Sequence, residues 1–140
     1  MNTTRPKDDK IIDVTCDVKG RTICVRLSGF LSEDDARRSA HLYRVATRTF
    51  AGRPHLVLAD LRGLKPQSAV AAAFFGKTVA YGRENGVVCC VHLSDSIITR
   101  LQAARLASEV SGSDDITVDA ASMADAERIL AEKRRTLFGQ

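Results

Sequence analysis

The sequence predicts an α/β fold: a small mixed β-sheet of about five strands covered by about four helices, in one compact domain. Two apolar runs and a set of serines carry that expectation. Leu56, Val57, Leu58, Ala59 and Leu61 form a continuous apolar run, the pattern of a strand buried on both faces. Val87–Leu93 is a second run of the same kind, a helix length further on. Serines stand where N-caps stand before helical stretches, at Ser32, Ser68, Ser94, Ser96 and Ser122.

Each element follows in order. Ile11, Ile12, Val14, Cys16 and Val18 nearly alternate, Lys19-Gly20 suits a tight turn, and Ile23, Val25 and Leu27 alternate cleanly, so the chain opens as a β-hairpin. Ser32 with Glu33, Asp34 and Asp35 starts a first helix, whose apolar stripe runs through Ala36, Ala40, Tyr43, Thr47 and Phe50 until Gly52 and Pro54 end it. The central strand leads through Asp60, Arg62, Gly63 and Pro66 to Ser68 and a second helix reaching Glu84, rich in Ala and Phe. After the strand Val87–Leu93, Ser94-Asp95-Ser96 caps a third predicted helix with a stripe of Ile97, Ile98, Leu101, Ala104 and Val110. A short strand at Ile116–Val118 and a last helix capped by Ser122 complete the domain. The domain spans 11–135, between a flexible N-terminus (1–10) and a tail (136–140).

Composition bounds the function. At 140 residues the chain is long enough to bury about two-thirds of the surface its unfolded form exposes. The net charge of +4 is spread over separate helical segments, there is no Trp, and stacking aromatics are few, which argues against nucleic acid as a partner. No apolar run approaches the ~18–20 residues of a membrane span, and the N-terminus lacks a signal-peptide core; a cytoplasmic protein without membrane insertion is expected. Cys16, Cys24, Cys89 and Cys90 lie in strand-like runs and read as free core thiols, since neighbouring Cys89 and Cys90 would point to opposite faces. His41, His55 and His92 fall in unrelated elements and assemble no catalytic or metal set. No catalytic residue, metal or cofactor is assigned. Strand, polar loop and capped helix instead place hydroxyls and backbone N–H groups at the carboxyl end of the central strand, where open α/β sheets carry their working surface.

Three segments together support a family resemblance. These are Val25–Leu31 (Val-Arg-Leu-Ser-Gly-Phe-Leu), Leu56–Leu64 (Leu-Val-Leu-Ala-Asp-Leu-Arg-Gly-Leu) and Gly86–Ser94 (Gly-Val-Val-Cys-Cys-Val-His-Leu-Ser). With the element order, they make the chain resemble the STAS domain over roughly 11–132, the family of bacterial anti-anti-sigma factors, stressosome subunits and the cytoplasmic tails of sulfate transporters. That family's most specific motif is Asp-Ser-Ser/Thr-Gly at the start of helix two, phosphorylated on the second hydroxyl. Here those positions are Gln67, Ser68, Ala69 and Val70. Only Ser68 is retained, and it becomes the candidate phosphoacceptor if the loop register slips by one residue.

The resemblance implies a non-enzymatic bacterial regulator that binds a signalling protein, a kinase or anti-sigma-like partner, without the usual phospho-switch. The partner-binding surface expected from it comprises Asp60, Arg62, Lys65, Gln67, Ser68, Ala69, Ala72, Ser94, Asp95 and Ser96, with Phe75 and Val79 in the core. Alternative readings are a small-ligand or lipid-sensing STAS-like module, which an apolar cavity beneath the second helix would favour, and a self-associating scaffold subunit or homodimer.

Overall fold

All six residues of the strand His55–Asp60 are buried, and the rest of the sheet is built outward from it. The computed structural model describes residues 10–95, 101 and 116–140. Their order is β1 (Ile11–Asp17), β2 (Thr22–Ser28), α1 (Glu33–Arg48), β3 (His55–Asp60), α2 (Ala69–Glu84), β4 (Val87–Leu93), β5 (Thr117–Ala120) and α3 (Met123–Phe138). The five strands lie in the sheet in sequence order. β1 pairs antiparallel with β2, and every later neighbour is parallel. The expected single α/β domain with a mixed five-stranded sheet is the observed one. Three helices are found among the described residues; the third predicted helix, with Ser96, lies outside them apart from Leu101.

The period-two geometry of β3 divides the core between two faces. Leu56 and Leu58 join Cys89, Val91, Leu93 and Ala120 beneath Ala126 and Leu130 of α3. Val57 packs on the other face with Ile23 and with Tyr43, Ala46 and Phe50 of α1, while Ala59 joins Leu27, Leu31, Leu61 and the half-buried Phe75 of α2. Crossovers of one hand that step in one direction along the sheet put α1 and α2 on the same side. A buried leucine contributes roughly 1.5–3 kcal/mol, so the row on β3 stabilises both layers at once.

β4 differs from its sequence reading. Instead of being buried on both faces, it alternates: Val87, Cys89, Val91 and Leu93 are buried, while Val88, Cys90 and His92 are half-buried. α3 seals Cys89, Val91 and Leu93 against the sheet, whereas Val87, set off by a register shift against β3, packs with Tyr43 and Phe50 on the other face.

The helix starts follow their caps. Ser32 and Asp35 form a reciprocal capping box, with Asp35 N–H donating to Ser32 Oγ (3.1 Å) and Ser32 N–H to Asp35 Oδ2 (2.8 Å). Ser68 caps α2 by accepting from Ala71 N–H, and Ser122 caps α3 by accepting from Asp125 N–H. α3 runs to Phe138, past the boundary expected at 135, and stops at Gly139, whose left-handed backbone (φ 71°) is the usual helix ending. The thiols of Cys16, Cys24 and Cys90 are half-buried and that of Cys89 is buried, all unbridged.

Candidate functional site

The carboxyl ends of β2, β3 and β4 meet at one edge, and the loop 61–68 crosses it. That loop is held from both sides. Gly29, just past β2, donates its N–H to Gly63 O (2.9 Å) and accepts from Lys65 N–H (3.0 Å), an isolated parallel bridge beyond the sheet. From the other side, Asp95 accepts the N–H of Gly63 on both carboxylate oxygens, each at 3.1 Å. Gly63 sits at φ +82°, and a Cβ there would lie 2.5 Å from Ser28 Oγ, so only glycine fits between these anchors.

Asp60 and Arg62 form the fixed root of the loop. Arg62 Nε and Nη2 each donate to Asp60 at 2.9 Å, a bidentate pair, and the Arg62 backbone N–H adds a third bond at 3.2 Å. Arg26, in register with Asp60 on β2, stands 3.9 Å away. Burial alone would raise the pKa of the Asp60 carboxyl; the hydrogen bonds from Arg62, with the charges of Arg62 and Arg26, outweigh it and hold the carboxyl below the usual range.

The expected partner-binding residues therefore divide into two groups. Arg62, Lys65, Ser68, Ala69 and Asp95 are exposed at the edge. Asp60 is only 6% exposed and faces its arginines, so it positions Arg62 and offers no surface of its own. Gln67 is half-buried and turned back on the loop, its Nε2 donating to Lys65 O. Ala72 and Ser94 are half-buried, and Ser96 lies outside the described residues. Of the two residues expected in the core, Phe75 packs against the Leu27–Leu61 cluster, and Val79 is half-buried.

Two apolar residues are exposed at this edge, and the first of them escaped the sequence reading. Phe30 follows Gly29 directly and is 59% exposed, and Val70, in the first turn of α2, is 46% exposed. An aromatic placed immediately after a strand-ending glycine was the available signal for the first. For Val70 the signal was its place at the glycine of the family's motif, which with the Ala/Phe-rich start of α2 points to a more apolar contact than the family norm.

The histidines do not converge. His41 is exposed on α1, His55 begins β3 at the opposite end of the sheet, and His92 is half-buried in β4 in register with Ala59 and Asp119. Among the described residues no group of three or more His, Cys, Asp or Glu side chains could hold a metal ion. An open groove of about 440 Å³ lies beneath α3, between Thr22, Cys24 and Leu58 on the sheet and Met123, Leu130 and Arg134 on the helix. It is on the opposite face from α2, beneath which a cavity would have favoured the ligand-sensing alternative.

Compared with models of protein families, with curated proteins and with solved structures, the chain matches none. No described helix is long and apolar enough to cross a membrane.

Proposed function

We propose that this chain is a bacterial regulatory protein of STAS-like type, working in the cytoplasm by docking a signalling partner on the loop edge, without chemistry of its own. The observation that carries the reading is the double anchoring of Gly63, by Gly29 from β2 and by Asp95 past β4. A loop held in this way meets a partner already ordered, so less conformational entropy is lost on binding. Its exposed face joins the cations of Arg62 and Lys65 to the apolar Phe30 and Val70, a mixture suited to a protein surface. The element order and the Asp60–Leu61 strand ending support the STAS-like reading.

Ser68 bears on regulation. Its hydroxyl is exposed on α2's N-cap, where a phosphate would be locally stabilised by free N–H groups and yet add nearly two negative charges to a surface that carries Arg62 and Lys65. The test is affinity capture from the native cytoplasm with mass-spectrometric identification, using wild type, Ser68→Ala, Ser68→Asp and Arg62→Glu/Phe30→Asp. A specific partner retained by wild type and Ser68→Ala and lost with the Arg62/Phe30 variant is the expected result. Loss also with Ser68→Asp, together with phosphate on native Ser68, makes the edge a switch. A partner indifferent to all these changes refutes the assignment of the edge.

A further inference from the structure

The seam between α1 and α2 carries a second ordered feature, which begins one turn along α2 from Val70 of the loop edge. Arg37 lies over the ring of Phe74, its Cζ 5.2 Å from the centroid, and Arg44 lies over Tyr81 at 5.3 Å. Both partners advance by seven residues, so α1 and α2 run parallel in register, and the two rungs stand about 10.5 Å apart along the helices at ~1.5 Å per residue. Lys77 brings a second cation to the first rung, 5.8 Å from the Phe74 centroid.

Arg37, Arg44 and Arg48 share this side of α1, and the exposed Glu84 of α2 follows Tyr81 by one turn. Beyond its first turn, α1 exposes Arg37, Arg38, Arg44 and Arg48 and no carboxylate. Asp34 pairs with Arg37 at 3.1 Å, but both are exposed, so the pair can open to another anion at little cost. The ring under each guanidinium centre restricts Arg37 and Arg44, and a restricted guanidinium is a fork suited to binding carboxylates in bidentate fashion.

We propose that this seam docks an acidic polypeptide, with carboxylates grouped about two helical turns apart so that one group meets each rung. Nucleic acid fits less well, because cations cover the half-buried rings on which bases would stack. An anionic membrane fits less well too: Val45, 48% exposed, is the one large apolar side chain that α1 presents, and nothing projects for insertion.

The test uses the full chain and fluorescein-labelled poly-L-glutamate, followed by fluorescence anisotropy at physiological ionic strength. Arg37→Gln/Arg44→Gln is compared with Lys19→Gln/Arg135→Gln, which removes the same charge from exposed positions elsewhere. The expected result is saturable binding weakened about tenfold or more by the seam pair and by no more than about twofold by the control. Phe74→Leu, which changes no charge, should weaken binding by about threefold, with folding checked by circular dichroism. Equal loss in the two charge variants, no effect of Phe74→Leu, or no saturable binding by wild type overturns the proposal. Tighter seam-dependent binding of a single-stranded oligonucleotide, or of vesicles of phosphatidylcholine and phosphatidylserine, overturns the choice of an acidic polypeptide. These variants leave the loop edge intact, so this test can fail while that reading stands.

Discussion

Both carboxylate oxygens of Asp95 accept the backbone N–H of Gly63, each at 3.1 Å, across 32 positions of chain. The bond ties the end of β4 to the loop that follows β3, and through the Gly63 carbonyl to Gly29 at the end of β2. Three strand ends are thereby linked through one residue, and the geometry of the edge depends on it. Asp95→Ala should remove about 0.5–1 kcal/mol of stability, an exposed hydrogen bond being worth little more. The sharper signature is local: amide exchange at Gly63 should accelerate while the core strands stay protected. Unchanged exchange there would show that Gly29 alone holds the loop.

Gly63→Ala should cost more, about 1–3 kcal/mol, from the positive φ that alanine tolerates poorly together with the collision with Ser28. The two causes separate in a double variant. Ser28→Ala removes the Oγ that stands 2.5 Å from the new Cβ and leaves the Ser28 Cβ at 3.6 Å, an ordinary contact. Urea unfolding should show Ser28→Ala/Gly63→Ala to be more stable than the sum of the single changes; simple additivity would assign the whole cost to the backbone.

Ser68 separates capping from charge. Ser68→Ala loses the bond to Ala71 N–H and should destabilise by about 1 kcal/mol, whereas Ser68→Asp supplies another good cap and an anion at the helix start, and should unfold near the wild-type urea midpoint. A partner lost only with Ser68→Asp is then lost to charge and not to unfolding. A marked destabilisation by Asp would remove that interpretation.

His55 should make the fold sensitive to mild acid. Its ring is fully buried, stacks on Phe50 at 4.6 Å and places Nδ1 2.8 Å from Arg53 O, so Nδ1 carries the proton and Nε2 is left buried without a partner. Burial pushes its pKa below the usual histidine value, against the raising effect of the Arg53 carbonyl, and the charge of Arg21 adds to the depression. The unfolded chain therefore takes up a proton near pH ~6.5 that the folded chain refuses, so this contribution is complete above that pH and is lost as the pH falls below it towards the folded value. The urea midpoint should drop between about pH 7.5 and about pH 5.5, above the range where carboxylates titrate. In His55→Phe the drop should be smaller, whatever the absolute stability of the variant; an identical drop would place its origin elsewhere.

Tyr43 meets Gly82 where α1 crosses close to α2: a Cβ at Gly82 would strike the Tyr43 hydroxyl and approach Val87 to 3.1 Å. Gly82→Ala should thus destabilise by about 1–3 kcal/mol despite alanine's better helix propensity, an overpacking effect. Thermal melts would show it, and a stabilised Gly82→Ala would mean that Tyr43 swings away without loss.

Local chemistry determined most of the framework. The all-apolar Leu56–Ala59 run, the Ser32, Ser68 and Ser122 caps and the stripe Ala36–Ala40–Tyr43–Thr47 each specify their element through interactions a few residues long, and all are found where the sequence puts them. The exposed part of the edge around Arg62, Lys65 and Ser68 was legible for the same reason: a strand, a polar loop and a cap in succession can only bring the loop to a strand end. What the sequence could not decide was direction and partnership across long separations. Asp60 reads as a surface acid, and the pairing of β2 with β3 sets Arg26 against it beside the neighbouring Arg62; Asp95 reads as a helix-cap neighbour and bonds Gly63. Phe30 and the Arg37–Phe74 and Arg44–Tyr81 rungs likewise acquire their roles only when distant elements are laid side by side. Caps and periodicity act within one turn or one strand, so the chain encodes them locally; the register of packed elements depends on the whole set of core contacts, and only the tertiary structure determines which side chains it brings together.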